Sequence, residues 1–216
     1  MDVENSDSLP ARIAAALAER IIRGSLKPGD RVRQDAVASD FNASHVPVRE
    51  AFRRLEARGL LVSRERKGVY VPLLDRESIV EITHMRAALE VLALKHALPN
   101  LTQNDIALAE KAIAAADCAH DITTWEEANR SFHSNLYRPC RMVRLLSNIE
   151  TLHEARLRYM YATATVIDWN AKSEAEHLEI IDAIKMRDVK RACSLLERHI
   201  SDAGDILVAA VATLQS

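Results

Sequence analysis

The chain has 216 residues, 48% hydrophobic and 28% charged, with a net charge of −2, the balance of a globular protein of one large or two small domains. No apolar run approaches the ~20 residues of a membrane span, and the acidic, polar start MDVENSDSLP lacks the basic region and apolar stretch of a signal peptide. Cys118, Cys140 and Cys193 are widely spaced and odd in number, which excludes a disulfide framework and fits reduced thiols and small core fillers in a cytoplasmic protein.

With only 5 glycines and 6 prolines, long helices are expected. Ser8 can cap a first helix that tolerates Pro10 in its first turn; Ile13, Leu17 and Ile21, with Ala14, Ala18 and Ile22, give it one apolar stripe. Gly24 ends it, and Lys27-Pro28-Gly29-Asp30 forms a turn. A short helix follows from Gln34 to Phe41, then a tight turn at Asn42-Ala43-Ser44. Ser44 caps a helix from His45 to Ala57, with Val48, Phe52 and Leu55 on one side and Arg49, Arg53 and Arg54 elsewhere. Gly59 stops that helix. Leu60–Arg64 and Val69–Pro72 read as two strands joined by the hairpin turn Glu65-Arg66-Lys67-Gly68.

From Asp75 on there is no strand pattern. Helices are expected near 76–98, 103–119, 124–137, 141–164, 174–187 and 189–213, with capping boxes at Thr102-x-x-Asp105, Thr123-x-x-Glu126 and Ser173-x-x-Glu176. The fold class is therefore mainly α: an N-terminal winged helix-turn-helix over residues 1–72, then an all-α antiparallel helical bundle over 75–216.

Charge separates the two parts. Residues 9–74 hold 13 Lys/Arg against 7 Asp/Glu, whereas 75–216 hold 16 against 21. A basic first third on an acidic remainder suits a protein of which one part meets phosphate. A short helix, a turn and a second helix with an exposed basic face match a helix-turn-helix, whose second helix enters the major groove. Ser44, His45, Arg49 and Arg53 can reach base edges or phosphates there: Arg pairs bidentately with guanine, and Ser at a helix N-terminus suits phosphate oxygens. Arg64, Arg66, Lys67 and Gly68 suit a wing laid along the minor groove, Gly68 by letting backbone approach the DNA.

Pro28-Gly29-Asp30, the run from Ser44 to Glu56 (SHVPVREAFRRLE), Gly59-Leu60 and Gly68-Val69-Tyr70-Val71 resemble the GntR family. His45 stands where that pattern usually has Arg.

Among the eight histidines, His133, His177 and His199 fall on three different amphipathic helices, and Asn129 shares a helix face with His133. Facing imidazoles can build a metal site in a bundle, but spacing alone leaves core or surface histidines without metal as the ordinary reading. Arg86-Ala87-Ala88-Leu89-Glu90, Phe132-His133, Glu176-His177 through Ile184, and Arg198-His199-Ile200 resemble the FCD effector domain of the FadR-like branch. That resemblance implies a divalent metal, zinc or nickel by ligand type, held by His133, His177 and His199, with Asn129 at a position usually occupied by Asp. It also implies a small carboxylate effector, for which Arg86 offers a guanidinium; Arg86 and Glu90 alternatively form a surface i,i+4 pair. Arg156, Arg158 and Tyr159 are lesser pocket candidates.

These readings predict a transcription repressor. It would bind a palindromic operator in double-stranded DNA as a homodimer, without a membrane, and respond to a small organic acid. The alternative is a metal-dependent hydrolase built on the three histidines. It lacks a His-Glu-x-x-His motif and leaves the helix-turn-helix unexplained.

Overall fold

The computed structural model describes residues 8–164 and 170–214, without the side chains of 170–173. The chain divides into two compact units, one running up to Asp75 and joined by Leu157–Ala162, the other holding Arg76–Arg156 and the chain from Thr163 on. The expected division at residues 72–75 did not include the short return of Leu157–Ala162 to the first unit.

In the first unit, α1 (Leu9–Ile22) is capped by Ser8, whose hydroxyl accepts from the Ala11 amide at 3.4 Å. Its stripe of Ile13, Leu17 and Ile21 is buried, each side chain contributing about 1.5–3 kcal/mol by leaving water. α2 (Gln34–Asp40) and α3 (His45–Ala57) follow, joined through Asn42 at φ 46°. α3 buries Val48, Ala51, Phe52 and Leu55 against that core. Ser44 does occupy its N-cap position, yet its side chain makes no capping hydrogen bond.

The sheet has three short strands rather than two. β1 (Arg31–Val32), β2 (Val62–Arg64) and β3 (Gly68–Tyr70) lie in the order β1-β3-β2, all antiparallel. β1 is only two residues long, too short for alternation to reveal it. β2 begins later than expected because Leu60 and Leu61 are buried and both donate their amides to the Leu55 carbonyl, closing α3. The hairpin turns through Arg66 at φ 57° and Gly68 at φ 103°.

The second unit is built from α4 (Arg76–Ala97), α5 (Gln103–Asp117), α6 (Ile122–Tyr137), α7 (Val143–Thr163, through Arg156 in this unit), α8 (Asn170–Lys185) and α9 (Val189–Leu214). α4 packs along α9, and α5 along α6 and α8. Gly204 of α9 sits so close to Thr83 of α4 that a Cβ there would collide with it. Phe132, Leu136, Ile180, Leu196 and Ile200 form the middle of one apolar core.

Of the three expected capping boxes, the one at Thr102 and Asp105 forms in both directions. The one at Thr123 does not: α6 starts earlier, capped by Asp121, which accepts from the Thr124 amide at 2.9 Å. α8 also starts earlier, at Asn170, so Ser173 lies inside it and not at its cap; the Ser173 side chain is outside the described residues. Cys140 and Cys193 are buried, but Cys118 is exposed rather than a core filler. Among the described residues no helix is long and apolar enough to cross a membrane.

Candidate metal centre and nucleic-acid interface

On α3 the apolar residues turn inward, which leaves the basic ones outside. Arg49 and Arg53 are exposed and carry no ion pair among the described residues, whereas Arg54 is bound to Glu50 at 2.7 Å, one turn away. Two free guanidiniums on a helix that follows a tight turn can bind phosphate or a base edge; a paired one is already neutralised. Ser44 and His45 are exposed at the start of the same helix, and His45 Nε2 lies 3.6 Å from Asp35. Lys67 is exposed on the hairpin. Arg64 stacks over the Tyr70 ring at 4.6 Å. Gly68 is required by its φ of 103°; a Cβ there would also lie 3.1 Å from Nε of the flexible Arg31 side chain, which would have to give way slightly. Arg31 itself is a cation the sequence reading missed, because the strand that carries it to the base of the hairpin was missed.

In the second unit, α6, α8 and α9 bring His133, His177 and His199 together. One ligand nitrogen from each lies within 4.8 Å of the others, and all three side chains are buried. Nε2 of His177 and Nε2 of His199 are 3.2 Å apart. Two nitrogens bound tetrahedrally to one ion at ~2.0–2.1 Å would be roughly 3.3 Å apart.

The far edges of two rings are held by carboxylates. His199 Nδ1 lies 2.7 Å from Glu176 Oε2. A carboxylate accepts, so His199 carries its proton on Nδ1 and turns a bare Nε2 inward. His133 Nδ1 lies 2.9 Å from the Tyr137 hydroxyl, which donates to Glu90 Oε2 at 2.7 Å. Because that hydroxyl spends its proton on Glu90, it accepts from His133, whose Nε2 is bare as well. Burial holds His133 well below the ordinary histidine range despite the pull of Glu90. Burial, aided by His199, does the same for His177. Neutral imidazoles are the form that ligates metal.

Glu90 is the hub behind this site. Burial by itself would raise its carboxyl, but Arg86, His153 and His133 outweigh that and hold it well below the usual range. Arg86 Nε donates to Glu90 Oε1 at 2.8 Å. The Arg86–Glu90 pair is thus formed, but in the interior and not on a solvated face. His153 Nε2 stands 3.2 Å from the same oxygen, and its Nδ1 is buried without a partner among the described residues. A cavity of about 130 Å³ is lined by His133, Tyr137 and His153, with Arg130, Arg138 and Glu150 around them. Arg156 is clamped onto both oxygens of Glu126 at 2.9 and 2.8 Å, while Arg158 belongs to the other unit and donates to the Gly59 carbonyl. Tyr159 falls in that other unit too.

Two family descriptions match the chain: bacterial regulatory proteins of the gntR family over residues 9–71, and the FCD domain over residues 81–202. The chain belongs to the GntR family. It is a GntR regulator with an FCD domain, a DNA-binding transcription regulator and not an enzyme. The Nta operon transcriptional regulator of Aminobacter aminovorans is 26% identical over 178 residues, covering 81% of this chain and 82% of that protein. The HTH-type transcriptional repressor GlaR of Escherichia coli is 25% identical over 195 residues, covering 85% and 89%. The solved structure of E. coli McbR/YncC superposes with a TM-score of 0.78 at 25% identity, covering 93% of this chain and 97% of that one.

In this GntR regulator the donor set suits a divalent metal. Asn129, one turn before His133 on α6, is buried with its Oδ1 lacking a hydrogen-bond partner among the described residues. An orphaned buried carbonyl costs about 1–3 kcal/mol unless something electropositive meets it. Three neutral imidazoles and an amide oxygen are what a first-row dication accepts. Sequence reading missed Glu90, Tyr137, His153 and Glu176 as parts of the site. The available signal was a polar stripe, Glu126, Asn129, His133 and Tyr137, running down the otherwise apolar face of α6.

Proposed function

We propose that this GntR regulator is a repressor that binds a palindromic operator as a homodimer and is released by a small carboxylate at a metal-containing FCD site. The observation that carries the effector half is the convergence of His133, His177 and His199, with Asn129 one turn before His133 on α6 and its buried Oδ1 without a hydrogen-bond partner among the described residues. Those four residues would hold zinc or nickel, which when bound supplies a positive centre for an anion. Arg86 would hold the other side of the acid. Its Nε is engaged by Glu90, but its terminal nitrogens have no carboxylate partner among the described residues. A cavity of about 130 Å³ opens beside His133, Tyr137 and His153, with Arg130 and Arg138 on its wall as cations an acid would meet on the way in.

For the DNA half, Arg49 and Arg53 supply base and phosphate contacts from α3, with Ser44 and His45 at its start. Lys67 and Gly68 belong to the wing. One such unit offers few contacts, so a two-fold pair reading two half-sites is required. The relative called GlaR is named a repressor, which supports that direction of control. The acid acts by binding one state of the dimer better than the other. The test is a gel-shift of the full chain on its own upstream DNA, loaded with zinc, against a panel of small mono-, di- and tricarboxylates. Specific, salt-sensitive binding relieved by one class of acid supports the reading. Absence of a specific complex overturns it.

A further inference from the structure

Four neutral ligands around a dication leave two positive charges in the interior of the bundle. An uncompensated buried charge is costly, and a site that binds metal must offset it somewhere. None of the four proposed ligands can: three are imidazoles and the fourth, Asn129, is an amide.

Resting on the metal reading above, we propose that Glu176 supplies negative charge that the inner ligands lack, while Glu90, whose own charge Arg86 offsets, orients His133 through Tyr137. Each carboxylate acts through a histidine and not on the metal. Glu176 Oε2 takes the Nδ1 proton of His199 at 2.7 Å. Glu90 Oε2 takes the Tyr137 proton at 2.7 Å, and the Tyr137 oxygen takes that of His133 at 2.9 Å. A histidine whose Nδ1–H is held by a carboxylate is a more basic ligand at Nε2, and its orientation is fixed. α8 therefore contributes in two ways from adjacent positions: His177 turns to the centre, while Glu176, about 100° around the helix, reaches the outer edge of His199 on α9. Glu176 is a positioning and charge-compensating residue, not a general base for water.

The experiment measures zinc affinity of the full chain by competition with a chromophoric chelator, with total zinc content read independently. Glu176→Gln keeps an oxygen that accepts from His199 Nδ1 and removes only the charge. It is expected to weaken zinc binding roughly 10–100-fold. Tyr137→Phe, which fills the same space but breaks the link to Glu90, is expected to weaken it in the same direction. Asn129→Asp is expected to raise zinc affinity by a larger factor in the Glu176→Gln background than in wild type, because the charge returns where it is missing; a purely structural role for Glu176 would give the same gain in both. Unchanged affinity in Glu176→Gln, or an Asn129→Asp gain no larger there than in wild type, overturns the proposal while leaving the metal site standing. Wild-type protein that binds no zinc overturns both at once.

Discussion

Arg86 and Glu90 face each other one turn apart on α4, joined at 2.8 Å with both side chains buried. On a surface such a pair would contribute a few tenths of a kcal/mol. Here it organises the interior, because Tyr137 and His153 also converge on Glu90. Removing one partner of a buried pair strands the other. Arg86→Met is expected to destabilise the protein by about 3–5 kcal/mol, and Arg86→Met with Glu90→Leu by much less than the sum of the single changes. Urea unfolding of the four proteins in the cycle checks this.

Arg49 and Arg54 separate a contact role from a paired one on the same helix. Arg49→Ala is expected to weaken operator binding by about 1–3 kcal/mol with the melting temperature unchanged. Arg54, already bound to Glu50, is expected to matter less. Fluorescence anisotropy on a labelled operator reads both. Equal affinity for wild type and Arg49→Ala would remove Arg49 from the interface.

Thr102 and Asp105 give a stability test at the start of α5. Thr102→Ala should cost about 1 kcal/mol. The Thr102 hydroxyl and amide hold the Asp105 carboxyl below its usual value. A depressed folded-state pKa contributes stability above the unfolded value of about 3.9, which is lost as pH falls through the folded one. The stability advantage of wild type over Asp105→Asn is therefore expected at neutral pH and to shrink as acid protonates Asp105. Thermal melts of both proteins from neutral to acid pH follow it.

The helices were legible where apolar residues recur at helical spacing: the stripe of Ile13, Leu17 and Ile21, and the inward residues of α3, are buried as read. What escaped were features of low local signal. β1 is two residues long and exists through its pairing with β3. The start of α6 depended on which of two neighbouring caps wins, and Asp121 won because its carboxylate reaches the Thr124 amide and hydroxyl. At the site, residues separated by one turn could be grouped from sequence, as Asn129 with His133 and Arg86 with Glu90. Partners on other helices could not: Glu176 with His199 and Tyr137 with Glu90 are joined only by tertiary packing.

Asn129 supplies the last test, because its amide and a carboxylate differ in charge at nearly constant shape. Asn129→Asp in the otherwise unchanged chain should tighten metal binding, since an anionic oxygen replaces a neutral one beside the three imidazoles. The same change should weaken an anionic effector, because the centre it approaches becomes less positive. The two affinities thus move in opposite directions, which a general loosening of the fold would not produce. Calorimetry with zinc, and then with the acid that releases DNA, measures both. His177→Ala is the companion variant: it removes one of the two nitrogens found 3.2 Å apart and should lower zinc content. If Asn129→Asp leaves both affinities unaltered and His177→Ala retains its zinc, the acid is held without metal, by Arg86 and histidine hydrogen bonds, and regulation of DNA binding would stand on that simpler site.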